Sequence, residues 1–431
     1  MNDKPPAAAV LPAWLTRDES GRLLADGMSL DALAQQFGTP LYLYSRAQIE
    51  ATFEQFRLAI KGRKATICYA LKANSNLAII DLMGRLGCGF DIVSGGELER
   101  VIAAGGDPRQ VLFSGVGKTA AEMARALEVG VRCFNVEALA ELERLDEVAA
   151  RLGKIAPVSI RVNPDVDAAT HPYISTGLRQ NKFGIACEEA LPVYRRAAEL
   201  AHVEVTGIDC HIGSQIVEIA PFLAALDRVL EMVDQLARAG IEIGHLDLGG
   251  GLGIRYADEV PPDPMALMTA LFTRIDQWSS GEPPEVLFEF GRALVGNAGL
   301  LLTRTEYLKR NHDKDFAVVD AAMNDLIRPS LYEAYHRIEP VVLRDGSARR
   351  YDIVGPVCES GDWLGRDRLL AIEQGDLLAI LSAGAYGAVM SSNYNTRPRA
   401  AEVLIDSGTA YPVRERETVA GLLAAERRLR D

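Results

Sequence analysis

From Ala65 to Phe290 the chain repeats one pattern, a short apolar run followed by a longer stretch with helical periodicity. The runs are ATICYAL from Ala65, GFDIVS from Gly89, VLFSGV from Val111 and CFNVE from Cys133. They continue as PVSIRVNP from Pro157, VTGIDCHIG from Val205, GHLDLGGG from Gly244 and EVLFEF from Glu285, eight in all. Short runs of this kind, bounded by turn residues, read as strands buried on both faces. Between them lie segments such as NLAIIDLMGRLG, ELERVIAAG, ALAELERLDEVAARLG and FLAALDRVLEMVDQLARAG, whose apolar residues recur at helical spacing. Strand then helix, eight times over, predicts a closed parallel (β/α)8 barrel of the TIM type, an α/β fold. A doubly wound open sheet is the structural alternative, and the count favours the barrel. The span is close to the roughly 250 residues that such a barrel takes.

The chain has 431 residues, more than one barrel needs, so a second domain is expected. After Arg292 the texture changes. The runs LLLTRTEYL, FAVVDAAM, RRYDIVGPV and LLAIL are separated by turn residues with few helical patterns, which predicts a mostly β domain over 293–431. The barrel is expected over 46–292. Residues 1–45 read as a loose tail ending in a strand, LYLYS, that joins the β domain. The start, MNDKPPAAAVLP, has neither the basic region nor the apolar core of a signal peptide. No run reaches the roughly 18 apolar residues of a membrane span. A net charge of −13, from 46 basic and 59 acidic residues, argues against nucleic acid as a partner. The six cysteines are spread out with no CxxC pair, which suits a reducing cytoplasm and gives no zinc or disulfide signal.

Barrels of this type keep their chemistry at the C-terminal ends of the strands. The polar residues of this sequence collect there. Lys72 ends the first run and Asp91 lies in the second. Asn163 ends the fifth, and His211 with Ser214 ends the sixth. Gly249, Gly250, Gly251 and Gly253 end the seventh, and Glu289 with Arg292 ends the eighth. A glycine-rich turn offers backbone N–H groups without side-chain obstruction, which suits a phosphate monoester, and Ser214 adds a hydroxyl. No Gly-Lys-Ser/Thr follows, so the turn is not a Walker loop. A lysine amine, a phosphate cradle and an acid on one rim point to pyridoxal phosphate. The amine forms a Schiff base with the aldehyde, Glu289 keeps the pyridine nitrogen protonated, and the flat ring of His211 stacks on the cofactor. The histidines number six and are scattered, so no metal site is expected.

The motifs YALKAN, FDIVSGGEL, the TG…KFG segment from Thr176 to Gly184, CHIGSQI, DLGGGLGI, MNDLIRPSLYEAYH, VGPVCESGD and SAGAYG carry a resemblance. The chain resembles the diaminopimelate decarboxylases, pyridoxal-phosphate enzymes of the alanine-racemase-like barrel class, from about LYLYS to NYNTRPRAAEVL. Several barrel motifs are shared with ornithine and arginine decarboxylases, whereas MNDLIRPSLY and CESGD are the more specific ones. The resemblance implies that Lys72 carries the cofactor, His211 stacks on its ring and Glu289 pairs with its nitrogen. Ser214, the glycines of 249–253, the Phe290–Gly291–Arg292 turn and Tyr386 would hold the phosphate. Arg292, Arg328, Tyr332 and Tyr386 would bind the substrate, with the carboxylate that is not lost lying against the two arginines and Tyr332. Glu359 would take the distal ammonium, and Cys358 would return a proton to the carbanion. Cys358 and Glu359 reach the partner's site in the family, so a homodimer with shared sites is implied.

The family usually reads Glu-Pro-Gly-Arg after strand eight, and this chain reads EFGR. Losing the proline frees φ at Phe290, while the acid, the glycine and the arginine remain. The reaction implied is the conversion of meso-diaminopimelate to L-lysine and carbon dioxide, the last step of lysine biosynthesis. Another basic-amino-acid decarboxylase of the same fold and a non-catalytic regulatory homologue are the alternatives. Two arginines with a tyrosine suit an acidic substrate end, because the guanidinium fork matches a carboxylate.

Overall fold

The structure is a computed structural model that describes residues 11–167, 176–177, 180–279, 282–311 and 313–429. It divides into two units. One runs from Thr52 to Ile254 and from Val260 to Ala293. The other takes the described residues up to Ala51, Arg255–Glu259 and the chain from Leu294 onward. The first ten residues of the N-terminal segment read as a loose tail lie outside the described residues. Among the described residues, no helix is long and apolar enough to cross a membrane.

The first unit is the closed barrel. Its strands are β1 (Ala65–Ala70), β2 (Gly89–Ile92), β3 (Val111–Phe113), β4 (Cys133–Val136), β5 (Ala156–Asn163), β6 (Val203–Asp209), β7 (His245–Asp247) and β8 (Glu285–Phe288). Each pairs in parallel with the next. β8 returns to β1 through Val286–Ala65, Leu287–Thr66 and Phe288–Ile67, which closes the ring and leaves no open edge. The open-sheet alternative is thereby excluded. Inside, Cys68, Leu112, Cys133 and Leu287 form one cluster that is fully shielded from solvent. Both faces of these strands are covered, so the polar residues within them, such as Ser159, Arg161 and Asp247, are buried as well.

Helices fill the gaps where the periodicity places them, for example Leu77–Arg85, Ala120–Val129 and Ala220–Arg238. Thr119 and Glu122 cap the second of these reciprocally, which stops the preceding loop at a defined residue. After β8 the helical pattern shrinks to the short helix Arg292–Val295. Phe56, on the helix Arg46–Ala59 ahead of β1, packs its ring 4.7 Å from that of Phe290 just past β8.

The second unit carries a sheet of mostly antiparallel pairs. Its path runs Trp363–Leu370, Arg349–Val354, Asp315–Val319, Gly299–Arg310, Leu41–Ser45, Ala401–Asp406 and Thr409–Arg414. LYLYS is a central strand here, antiparallel to Gly299–Arg310 and parallel to Ala401–Asp406. The stretch ahead of it does more than trail. Leu15–Arg17, Leu23–Ala25 and Met28–Ser29 form a small meander. Leu15, Leu23, Leu30 and Leu33 are buried in one core with Leu41, Leu300, Val403 and Ile405.

Candidate active site

β1 ends one residue earlier than its apolar run, and Leu71–Ala73 form a tight 3-10 turn at the barrel rim. The turn lifts Lys72 out of the wall. Its side chain keeps 31% exposure while its neighbours Leu71 and Ala73 are sealed. Lys72 Nζ donates to Asp91 Oδ2, at the end of β2, at 2.8 Å. Gly291 packs on this turn so closely that a Cβ there would lie 2.9 Å from the Cβ of Ala73. The end of β8 thus supports the lysine turn from behind.

The glycine turn after β7 is pinned from several sides. Gly249 takes φ +64° and its N–H donates to Asp247 Oδ1 at 3.0 Å. A Cβ on Gly250 would fall 2.0 Å from the Glu289 carbonyl, so no larger residue fits without moving β8. Gly250 N–H donates to His211 Nδ1 at 3.1 Å. That bond makes Nδ1 an acceptor, so the neutral ring carries its proton on Nε2. Burial, then the nearby charges of Lys72 and Arg161, hold His211 well below the usual imidazole range. A neutral flat ring is what stacking on a cofactor requires. Beside the turn, Arg292 donates to Ser214 Oγ from Nη2 at 2.9 Å and from Nε at 3.2 Å. A hydroxyl and a guanidinium meet beside a turn that carries no side chains, which suits a phosphate. Thr176 Oγ1 donates to the His211 carbonyl at 2.9 Å, which ties the TG motif to the same rim.

The structure also assembles a group that the motifs did not announce. Asp209, Asp247 and Glu289 place a carboxylate oxygen each within 4.8 Å of the others, all three buried. Glu289 Oε1 accepts from Ser114 Oγ at 3.2 Å and from Asn135 Nδ2 at 3.3 Å. Arg161 Nε lies 3.8 Å from Asp209, and Arg161 Nη1 donates to Glu137 at 3.1 Å. Burial is the main cause that pushes Glu289 well above the ordinary glutamate range, followed by Asp247, Asp91 and Asp209. Asp247 is raised to about 6, also chiefly by burial. Carboxylates this close in a dry place cannot all ionise, so the cluster retains protons. Acids inside apolar strand runs, HLD and GID, were the available signal. Each is as anomalous in a core as a lysine.

Linkage gives this cluster a pH signature. A carboxyl group whose folded pKa is raised contributes stability below its unfolded pKa, and that contribution is lost as pH rises through the folded value. For Asp247 the window runs from 3.8 to about 6. Cofactor-free wild-type protein is expected to lose roughly 1–3 kcal/mol relative to Asp247→Asn as pH rises through that window. Thermal unfolding of the two proteins across pH 4–7 checks this.

Phe290, expected among the cofactor contacts because it lies in the EFGR turn, buries its ring. It stacks 5.6 Å from Phe288 and lies 1% exposed. That leaves the turn's backbone, and not this ring, for a cofactor. Asn163 serves a local turn, accepting from Asp165 N–H at 3.0 Å.

The remaining expected residues belong to the β unit. Arg328 opens the short helix Arg328–Tyr332 and is buried. Tyr332, at the end of that helix, is partly exposed. Cys358 and Glu359 are exposed, and Tyr394 donates a short hydrogen bond to Glu359. Asp362 organises their turn, accepting from Val357 N–H and from Met323 N–H, each at 2.7 Å. The CESGD and MNDLIRPSLY motifs are therefore locked together by one carboxylate. Tyr386 sits at φ +54°, a conformation that costs energy in a non-glycine residue and recurs at functional sites.

A family model described as "pyridoxal-dependent decarboxylase, pyridoxal binding domain" matches residues 46–296. A diaminopimelate decarboxylase of Pseudomonas aeruginosa is 61% identical over 404 residues, which is 94% of this chain and 96% of that protein. The chain belongs to the diaminopimelate decarboxylase family. The diaminopimelate decarboxylase of Vibrio cholerae is 56% identical over 96% of this chain and 98% of its own length. Among solved structures, the diaminopimelate decarboxylase of M. jannaschii in complex with L-lysine matches with a TM-score of 0.93. It is 39% identical, over 97% of this chain and 99% of that one. The barrel-plus-β architecture described above is the fold of these diaminopimelate decarboxylases.

Proposed function

We infer that this chain decarboxylates meso-diaminopimelate to L-lysine and carbon dioxide with pyridoxal phosphate, the last step of lysine biosynthesis. The observation that carries the reading is one barrel rim. It presents Lys72 beside Asp91, the Ser214–Arg292 pair beside the glycine turn, and the buried acid Glu289. These groups fit the cofactor by their chemistry: an amine for the aldehyde, neutral and cationic donors for the phosphate, and a carboxyl for the ring nitrogen. When bound, the cofactor supplies the sink for the electron pair left by the departing carboxylate.

The chain's own residues do the rest. Asp91 directs the Lys72 amine by accepting a hydrogen bond from it. The glycine turn, Ser214 and Arg292 anchor the phosphate, and His211 covers one ring face as a neutral imidazole. Burial and the neighbouring acids favour a protonated Glu289. Glu289 is the residue that would face the ring nitrogen, where its carboxyl would hold the shared proton and balance the charge of a protonated ring. Arg328 and Tyr332 hold the carboxylate that stays, so that only the other one is placed to leave. Glu359 takes the distal ammonium, Tyr386 reaches the cofactor phosphate and the substrate, and Cys358 donates a proton as a neutral thiol.

Incubation with diaminopimelate is expected to release lysine and carbon dioxide in equal amounts. Faster decarboxylation of ornithine or arginine would overturn the substrate assignment. The reading extends to a cytoplasmic homodimer in which Cys358 and Glu359 serve the partner's site. The exposure of both residues on the single chain supports it. Mixing inactive Lys72→Ala with Cys358→Ala then rebuilds one intact site in each mixed dimer, and activity should return to about a quarter of wild type. No recovery after subunit exchange would argue for sites contained within one chain.

A further inference from the structure

His336 closes the MNDLIRPSLYEAYH motif, and the roles above leave it without a part. It is fully buried in the β unit. Its Nδ1 lies 2.8 Å from the Leu381 carbonyl, and its Nε2 lies 2.8 Å from Arg328 Nη1. A carbonyl only accepts, so Nδ1 carries the proton. A guanidinium only donates, so Nε2 offers its lone pair. Both neighbours demand the same neutral tautomer. Tyr256 completes the arrangement. Its ring centroid lies 4.7 Å from the Arg328 guanidinium carbon, and its ring meets His336 edge-on at 5.2 Å and 77°.

We propose that His336 is a positioning residue that fixes the plane of the Arg328 guanidinium for the substrate carboxylate that is retained. The proposal rests on the reading of Arg328 as the carboxylate-binding residue. An arginine side chain has large rotamer freedom, and bidentate recognition needs the fork in one plane. A lone pair on one N–H and an aromatic ring against the guanidinium restrict that freedom before substrate arrives, so less ordering remains to be done on binding. The histidine itself acts only through Arg328.

The test uses the holoenzymes of Arg328→Met, His336→Leu, His336→Gln and the double variant Arg328→Met/His336→Leu. KM and kcat are measured with diaminopimelate, and the Kd of L-lysine, which keeps the relevant carboxylate, by titration. Loss of a buried charge-assisted bond predicts that His336→Leu raises KM and the lysine Kd by roughly 10- to 100-fold. Its kcat should change by less than about threefold, since ground and transition states lose the same contact. His336→Gln, whose side-chain carbonyl restores an acceptor, should recover most of the loss. In the Arg328→Met background, His336→Leu should add less than about twofold, because both changes remove one interaction. Additive effects, or tight lysine binding by a folded His336→Leu enzyme, overturn the proposal. An Arg328→Met enzyme with unchanged KM and lysine Kd overturns the underlying reading of Arg328 instead. Should His336→Leu not fold, His336→Asn replaces it. Its amide still donates to Leu381 but is too short to reach Arg328, and the same outcomes decide.

Discussion

Replacing Lys72 with alanine is expected to lower turnover of diaminopimelate by on the order of 10^4-fold or more. The proposed role gives this amine the bond to the cofactor aldehyde, and its turn presents it. Leu71 and Ala73 are buried on either side while Lys72 reaches Asp91. The fold should survive, because a partly exposed side chain is removed and no core volume is lost. Borohydride treatment of the wild-type holoenzyme, followed by peptide mass analysis, should find the reduced cofactor on the peptide containing Lys72. A Lys72→Ala enzyme with full turnover would rule out the lysine-based mechanism.

Glu289→Gln should lower kcat by on the order of 10^2- to 10^3-fold while leaving the cofactor bound. The amide keeps the shape and the bonds from Ser114 and Asn135, yet it cannot hold a positive charge on the ring nitrogen. The proposed phosphate anchors, the glycine turn, Ser214 and Arg292, are untouched. The cofactor-free variant should be at least as heat-stable as wild type, since it removes one of several crowded buried acids. Steady-state kinetics and thermal unfolding on the same preparation separate the two effects. A kcat within threefold of wild type would remove Glu289 from the chemistry.

Much of the site was legible because each of its members stands at the end of an apolar run. Lys72, His211, the glycine turn, Glu289 and Arg292 stand out against hydrophobic surroundings, and the barrel rule assigns that end of the strands to chemistry. Asp209, Asp247 and Arg161 carry the same signal one step deeper in their strands. They are easily missed because an inward-facing residue in the middle of a run looks like packing. The meander before Leu41 was illegible for a different reason. Strands of two or three residues show no periodicity to count. Phe290 shows the limit of motif reasoning. Its position in the turn was evident, but the direction of its ring depends on Phe56 and Phe288, which pack against it.

Local pattern alone determined the strands, the helices between them and the candidate residues, because periodicity and capping act within a few turns of chain. It also placed the lysine and the glycine turn on one rim, once eight alternations implied closure. Only the tertiary structure decided which of those groups share a charge environment. Glu289 meets Ser114 across 175 residues and Asn135 across 154, and Arg292 meets Ser214 across 78. Such partners are set by ring closure and close packing, which no local spacing encodes. Burial then does to Glu289, Asp247 and His211 what the residue names cannot reveal: it fixes where the protons sit.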